Sequence, residues 1–131
     1  MAGMSEYIQK ADWKKEKHVP VIDCPDEVKG DTLFEVKLTL GKEITHPNTT
    51  EHHIRWITLY FHPEGEKFIS QVARVEFNAH GESTEGPNQG GLYAHHSATI
   101  CTRTRKSGTL HAMAYCNIHG LWESMKEIKV V

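Results

Sequence analysis

The chain has 131 residues, room for one domain that buries its own core without disulfides or metal as structural staples. Its formal net charge is −2 with histidine neutral, and Lys and Arg are scattered rather than gathered into the basic stripe that nucleic acid requires. No apolar run approaches the ~18 residues of a membrane span, and residues 1–17 lack the apolar stretch of a secretory signal, so a cytoplasmic protein with no nucleic-acid or membrane partner is expected.

In chain order, residues 1–12 read as an arm or tail on a single domain spanning 1–131. Residues 19–23 read as a short edge strand, where a proline near the start is tolerated. Residues 32–40 alternate Phe34, Val36, Leu38 and Leu40 with Glu35, Lys37 and Thr39, the pattern of a half-buried strand. Residues 54–61 are β-branched and aromatic and end at the turn His62-Pro63-Glu64-Gly65. Residues 68–77 predict a strand with Ile69, Ala73, Val75 and Phe77 on one face, stopping at a polar, glycine-rich stretch over 78–91. Residues 94–103 and 109–115 predict two strands joined by a hairpin turn at Lys106-Ser107-Gly108, and 124–131 predict the last. About seven short strands, with no helical period of useful length, suit an all-β antiparallel sandwich.

Chemistry gathers in the loops of this scaffold, where functional groups commonly sit. Cys116 and His119 form a Cys-x-x-His step closed by Gly120, which lets the backbone turn sharply behind two convergent side chains. Alone, this pattern fits a buried free thiol beside a loop histidine equally well. His46 and His52 bracket a turn favoured by Pro47 and Asn48. His53 adjoins His52, and adjacent side chains of an extended segment face opposite ways, so at most one of the two can reach a metal. His18 follows Glu16 and Lys17, a charge pair that by composition is an ordinary solvated feature.

Three cysteines and no Cys-x-x-Cys pair exclude a zinc ribbon or a four-cysteine iron site built from one chain. Four imidazoles (His18, His46, His52, His119) with one thiolate (Cys116) overfill a structural zinc tetrahedron. Imidazole and thiolate together leave iron and copper open. Four nitrogens in a plane with sulfur on the axis would echo a thiolate-ligated haem and favour redox-active iron. A non-catalytic metal-binding or electron-transfer module is the alternative. A blue-copper site, for instance, takes two histidines, a cysteine and a methionine, and Met125 is available.

Glu-Lys-His-Val-Pro at 16–20, His-Pro-Asn-Thr-Thr-Glu-His-His-Ile at 46–54 and Cys-Asn-Ile-His-Gly-Leu-Trp at 116–122 closely resemble superoxide reductase in its one-iron form, neelaredoxin. Arg74-Val75-Glu76-Phe77 and Ala79-His80-Gly81-Glu82-Ser83 also look like that family. The similarity runs from Asp12 to about Asn88 and again from Ser107 to Trp122; residues 89–106 depart from it. The two-iron class needs four cysteines ahead of the iron domain and only Cys24 is available there, so the chain resembles the single-centre class.

The resemblance implies an immunoglobulin-like β-sandwich or barrel holding one iron ion (Fe2+/Fe3+) per chain. His18, His46, His52 and His119 would ligate it, with Cys116 as axial thiolate and Glu16 able to take the sixth position. Lys17, with Glu16, would govern the approach of superoxide and the supply of protons. The implied activity is one-electron reduction of superoxide to hydrogen peroxide. The implied partners are a rubredoxin-like electron donor and further copies of the chain, as a homotetramer.

Overall fold

The structure is a computed structural model and describes residues 3–131. Eight strands form two sheets: β1 (Val21–Asp23), β2 (Glu27–Val28), β3 (Phe34–Thr39), β4 (Ile54–Pro63), β5 (Ser70–Glu76), β6 (Ser97–Thr102), β7 (Gly108–Cys116) and β8 (Gly120–Val130). One sheet has the order β1-β3-β6 and the other β2-β8-β7-β4-β5. All pairings are antiparallel except the two-residue β2, which runs parallel to the end of β8. The architecture is an immunoglobulin-like β-sandwich, as the strand pattern anticipates.

Val36 and Leu38 of β3 meet Ile57 and Leu59 of β4 and Leu110, Ala112 and Ala114 of β7 between the sheets. Val36, Leu38, Ile57 and Leu59 have no exposed surface. Each such leucine or isoleucine contributes ~1.5–3 kcal/mol by leaving water.

Three departures from the expected pattern have physical causes. The count is eight because β2 is only two residues long, too short for any periodicity to register. The face expected in β5 is broken by a bulge: Leu59 pairs with Ala73 but Tyr60 with Gln71. Val72 is the extra residue, and a bulge resets the two-residue period. Val72, Ala73 and Val75 therefore all pack on the core while Ile69 is left 52% exposed. The third concerns Lys106-Ser107-Gly108, which is not a hairpin. β6 pairs with β3 while β7 pairs with β4 and β8, so these residues carry the chain from one sheet to the other. Turn chemistry marks a reversal but not which sheet the next strand joins.

The amino-terminal arm is ordered over its described part. Gln9 bridges to Trp122, its N–H donating to the Leu121 carbonyl (3.0 Å) and its carbonyl accepting from the Glu123 N–H (2.9 Å). Residues 1–2 of the arm lie outside the described residues. Among the described residues no helix is long and apolar enough to cross a membrane.

Candidate metal centre

Strand alternation delivers the thiol. Along β7, Leu110, Ala112, Ala114 and Cys116 are buried while Thr109, His111, Met113 and Tyr115 are half-buried. Cys116 thus continues the core-facing row and points inward at the very end of the strand. The β7–β8 hairpin turns through Asn117, Ile118 and His119 and closes where Cys116 pairs with Gly120. Gly120 has φ +81°, a left-handed conformation that suits glycine. In this tight turn the His119 N–H donates to the Cys116 sulfur at 3.4 Å, and His119 Nδ1 lies 3.7 Å from it.

Register brings up the second cluster. Ile54, the first residue of β4, pairs with Cys116, so His52 arrives beside the hairpin turn. The loop leading to it is held by its own threonine, whose Oγ1 accepts from the His52 N–H (3.0 Å) while the Thr49 N–H donates to the His52 carbonyl (2.9 Å). At the loop's start Gly41 (φ +73°) lets the chain pass His46; a Cβ there would sit 2.6 Å from the His46 nitrogen. His18 comes from the segment before β1, which is fixed where Ser124 of β8 donates to the Pro20 carbonyl at 2.5 Å.

The four imidazoles close into a ring. Centroid separations are 4.8 Å for His18–His46, 4.9 Å for His46–His52, 5.0 Å for His52–His119 and 4.7 Å for His119–His18. The His18–His52 diagonal is 6.4 Å. That is a near-square with neighbouring rings steeply tilted to one another. Ligand atoms of His18, His52, Cys116 and His119 all lie within 4.8 Å of each other. His46 falls outside this tightest set, yet its ring flanks both His18 and His52.

Tautomers follow from the partners. His18 Nδ1–H donates to the Glu16 carboxylate at 2.6 Å, leaving a lone pair on Nε2, which sits 3.1 Å from His119 Nδ1. Two ring nitrogens this close share either one proton or one cation. His46 Nδ1–H donates to the Pro47 carbonyl at 2.6 Å, leaving its Nε2 bare. His46 Nε2 and His52 Nε2 are buried with no hydrogen-bond partner. Buried polar atoms are rarely left so, and a cation at the centre of the ring satisfies both.

Electrostatics favour neutral, lone-pair-bearing imidazoles. Burial pushes the His46 pKa down to about 3, with His18, His52 and His96 adding to the effect against a bond to the Pro47 carbonyl. Burial also lowers His18, outweighing the support of Glu16, and lowers His52, helped by His119, His18 and Lys17. For Glu16, burial works against the carboxylate, but hydrogen bonds from the His18 ring and backbone together prevail and hold its pKa below the ordinary value.

The remaining expected residues fall around this ring. Glu16 is engaged with His18 through both the ring and the backbone N–H (3.0 Å) and stands outside the tight ligand set. Lys17 is half-exposed beside it, close enough for its charge to bear on His18 and His52. Met125, which a copper site would need, is 58% exposed on β8 and lines a groove with Trp13 and Lys42. His119 and Ile118 are exposed, so the centre lies at the surface, at one end of the sandwich. The broad groove among Asp26, His62, Ser107 and Lys129 belongs to the other end.

Several residues have supporting roles that the sequence does not reveal. Trp122 stacks on His18 (4.9 Å, 16°) and donates its indole N–H to the His119 carbonyl at 3.1 Å. His53 turns away from the centre, as alternation requires, and stacks flat on buried His80 at 3.5 Å and 5°. Asn48 donates to the Ala94 carbonyl, and Thr50 and Asn88 exchange hydrogen bonds, so the 80–94 loop braces the His46–His52 loop. None of these carries a spacing signature, because each depends on contacts across the fold.

A β-sandwich that gathers one cysteine sulfur and a square of imidazoles from three segments carries the histidine–cysteine cluster of a metal-binding protein. Residues 10–125 match the family profile described as desulfoferrodoxin. A neelaredoxin of Megalodesulfovibrio gigas is 55% identical over 125 residues, 95% of this chain and 96% of that protein. A superoxide reductase of Pyrococcus furiosus is 59% identical over 121 residues, covering 92% and 95% of the two chains. The solved reduced form of the superoxide reductase (neelaredoxin) from Archaeoglobus fulgidus superposes with a TM-score of 0.87 at 52% identity, over 95% of this chain and 99% of that one. The chain belongs to the desulfoferrodoxin family, on its superoxide reductase (neelaredoxin) branch.

Proposed function

We propose that this chain, as one domain spanning 1–131, reduces superoxide to hydrogen peroxide at a single iron held by His18, His46, His52, His119 and Cys116. The observation that carries the reading is the closed imidazole square, whose buried His46 and His52 Nε2 atoms lack any partner. When bound, the iron supplies the electron, passing from Fe(II) to Fe(III) as superoxide takes up one electron and two protons to become hydrogen peroxide.

The chain's own groups do the rest. The Cys116 thiolate donates electron density to the metal from within the core, and the His119 N–H hydrogen bond to its sulfur moderates that donation. Glu16 orients His18 through Nδ1, and by family resemblance its carboxylate would also be able to ligate the metal. Lys17 sets a positive potential at the mouth, where local charge matters more than the distant net charge screened beyond ~10 Å. The surface position of His119 suits both a small anion and a protein donor that reaches the site from outside. That donor is rubredoxin-like and the working form is a homotetramer, two readings that rest on family resemblance, and the cytoplasm is the compartment expected from the sequence.

The full chain is expected to bind about one iron and to consume superoxide in step with added reductant, giving peroxide without oxygen. Matching oxygen evolution would make it a dismutase. Copper binding without superoxide turnover would make it an electron-transfer module.

Lys17→Ala should slow superoxide capture by roughly tenfold at low salt, the scale of local electrostatic steering. The gap should narrow as ionic strength rises. Rates of superoxide decay after pulsed generation, measured across a salt series, check this; equal rates at low salt would remove Lys17 from the role.

A further inference from the structure

The two loops that would supply His52 and Cys116 need a device that fixes their separation. Ordinary strand pairing does not supply it. The β4–β7 ladder slips between Ile54 and Trp56, leaving Ile54–Cys116 as the last pair before both loops begin. Beyond that slip the two segments are joined by the Ile54–Cys116 pair and by the bonds that Asn117 makes.

One residue takes over, with one backbone and two side-chain bonds. Asn117, immediately after Cys116, makes three hydrogen bonds to the backbone on either side of His52. Its Nδ2 donates to the Glu51 carbonyl at 2.8 Å. Its Oδ1 accepts from the His53 N–H at 2.9 Å, and its own N–H donates to the His53 carbonyl at 3.2 Å. Among the described residues no other hydrogen bond joins the 46–53 loop to the 117–119 turn. Only a carboxamide offers a donor and an acceptor side by side in a plane; aspartate has acceptors alone and leucine has neither.

The far side of the clamped segment is equally fixed. His53 stacks on His80, and its Nδ1–H donates to the Thr49 carbonyl at 2.9 Å. His80 in turn donates from Nε2 to the Phe77 carbonyl at 2.7 Å. His52 therefore hangs between a stacked pair behind it and Asn117 in front, while its own Nε2 stays free.

We propose that Asn117 is the positioning residue of the metal centre: its carboxamide sets the separation of the His52 imidazole from the Cys116 thiolate, and with it the affinity and reduction potential of the bound metal. This rests on His52 and Cys116 being ligands, as argued above. Groups that orient ligands from behind typically hold 10- to 100-fold in metal affinity.

The test uses the iron-loaded full chain with three variants. Asn117→Leu removes both side-chain bonds at similar volume, and Asn117→Asp keeps the acceptor and loses the donor. Ser107→Ala removes a side-chain acceptor for the Val130 N–H (2.9 Å) at the opposite end of the sandwich. Iron affinity by chelator competition, the visible sulfur-to-metal absorption band, the reduction midpoint and the melting temperature are read for each.

Asn117→Leu should weaken iron binding by about 10- to 100-fold, with the band and the midpoint displaced. Asn117→Asp should fall between it and the wild type. Ser107→Ala should lower the melting temperature and leave band and midpoint in place. The proposal is overturned if Asn117→Asp, the milder change, and Asn117→Leu keep the wild-type band and affinity, or if Ser107→Ala moves them equally. A wild-type chain that binds iron without any sulfur band would instead refute the ligand assignment, so the two failures are distinct.

Discussion

Replacing Cys116 with serine should reduce superoxide turnover by at least about a hundredfold, more than the loss of a residue that merely orients a ligand. The fold should scarcely notice. Serine is slightly smaller, and its hydroxyl inherits the His119 N–H that now points at sulfur. Thiol burial here is nearly complete, at 1% exposure, so an unsatisfied hydroxyl would cost ~1–3 kcal/mol; with that N–H as donor the cost falls below this range. What disappears is the soft, electron-rich sulfur among four nitrogens. The expected set of results is near-native melting of the metal-free chain, loss of the sulfur-to-metal band, and collapse of peroxide production. If turnover survives while stability falls, Cys116 is a core residue like Ala114 in the same row, and its proposed role as a ligand fails.

How much of this was legible in the sequence differs between fold and site. The sandwich was readable because β3 and β7 keep strict alternation, and in β7 the same alternation aims Cys116 inward. The β5 face was not readable, since the bulge at Val72 is set by how β5 pairs with β4 and has no residue signature of its own. Assignment of β6 to the other sheet was equally hidden, because sheet membership is decided by long-range pairing with β3. In the site, Cys116, His119, His46 and His52 stand out by residue type and spacing, whereas His18 becomes a candidate only when the three motifs are taken together. Asn117 and Trp122 lie within the same motif but look like filler. Their roles depend on the backbone of residues 51–53 and on the face of His18, which are brought near only by the completed fold. His53 is the instructive middle case. Alternation says it must point away from His52, and it does, but nothing local says that His80 will be waiting there.

The second large effect concerns acid. His46 and His96 are buried, at 1% and 4% exposure, with their rings 5.7 Å apart. Burial pushes His46 down to about 3 and His96 down to about 4, the latter with further repulsion from His95 and His80. Both folded values lie below the ~6.5 of an unfolded histidine. The unfolded chain therefore binds more protons across this window, and stability rises with pH. It is fully present above ~6.5 and is lost as pH falls from there toward about 4 for His96 and about 3 for His46. Between pH 8 and 5 each group loses roughly 2 kcal/mol, from ~1.4 kcal/mol per pH unit over the final ~1.5 units, so the metal-free chain should lose roughly 4 kcal/mol in all. Urea unfolding at a series of pH values measures this directly. Among the described residues no hydrogen bond engages the His96 ring, so His96→Leu removes one titration without orphaning a partner and should about halve the acid sensitivity. A metal held as proposed would keep His46 neutral through its free Nε2, and protons would have to compete with it. The loaded chain should accordingly resist acid to a lower pH, then lose metal and fold together. A stability that stays flat from pH 8 to 5, or an unchanged slope in His96→Leu, would show that these two imidazoles titrate as though they were in water.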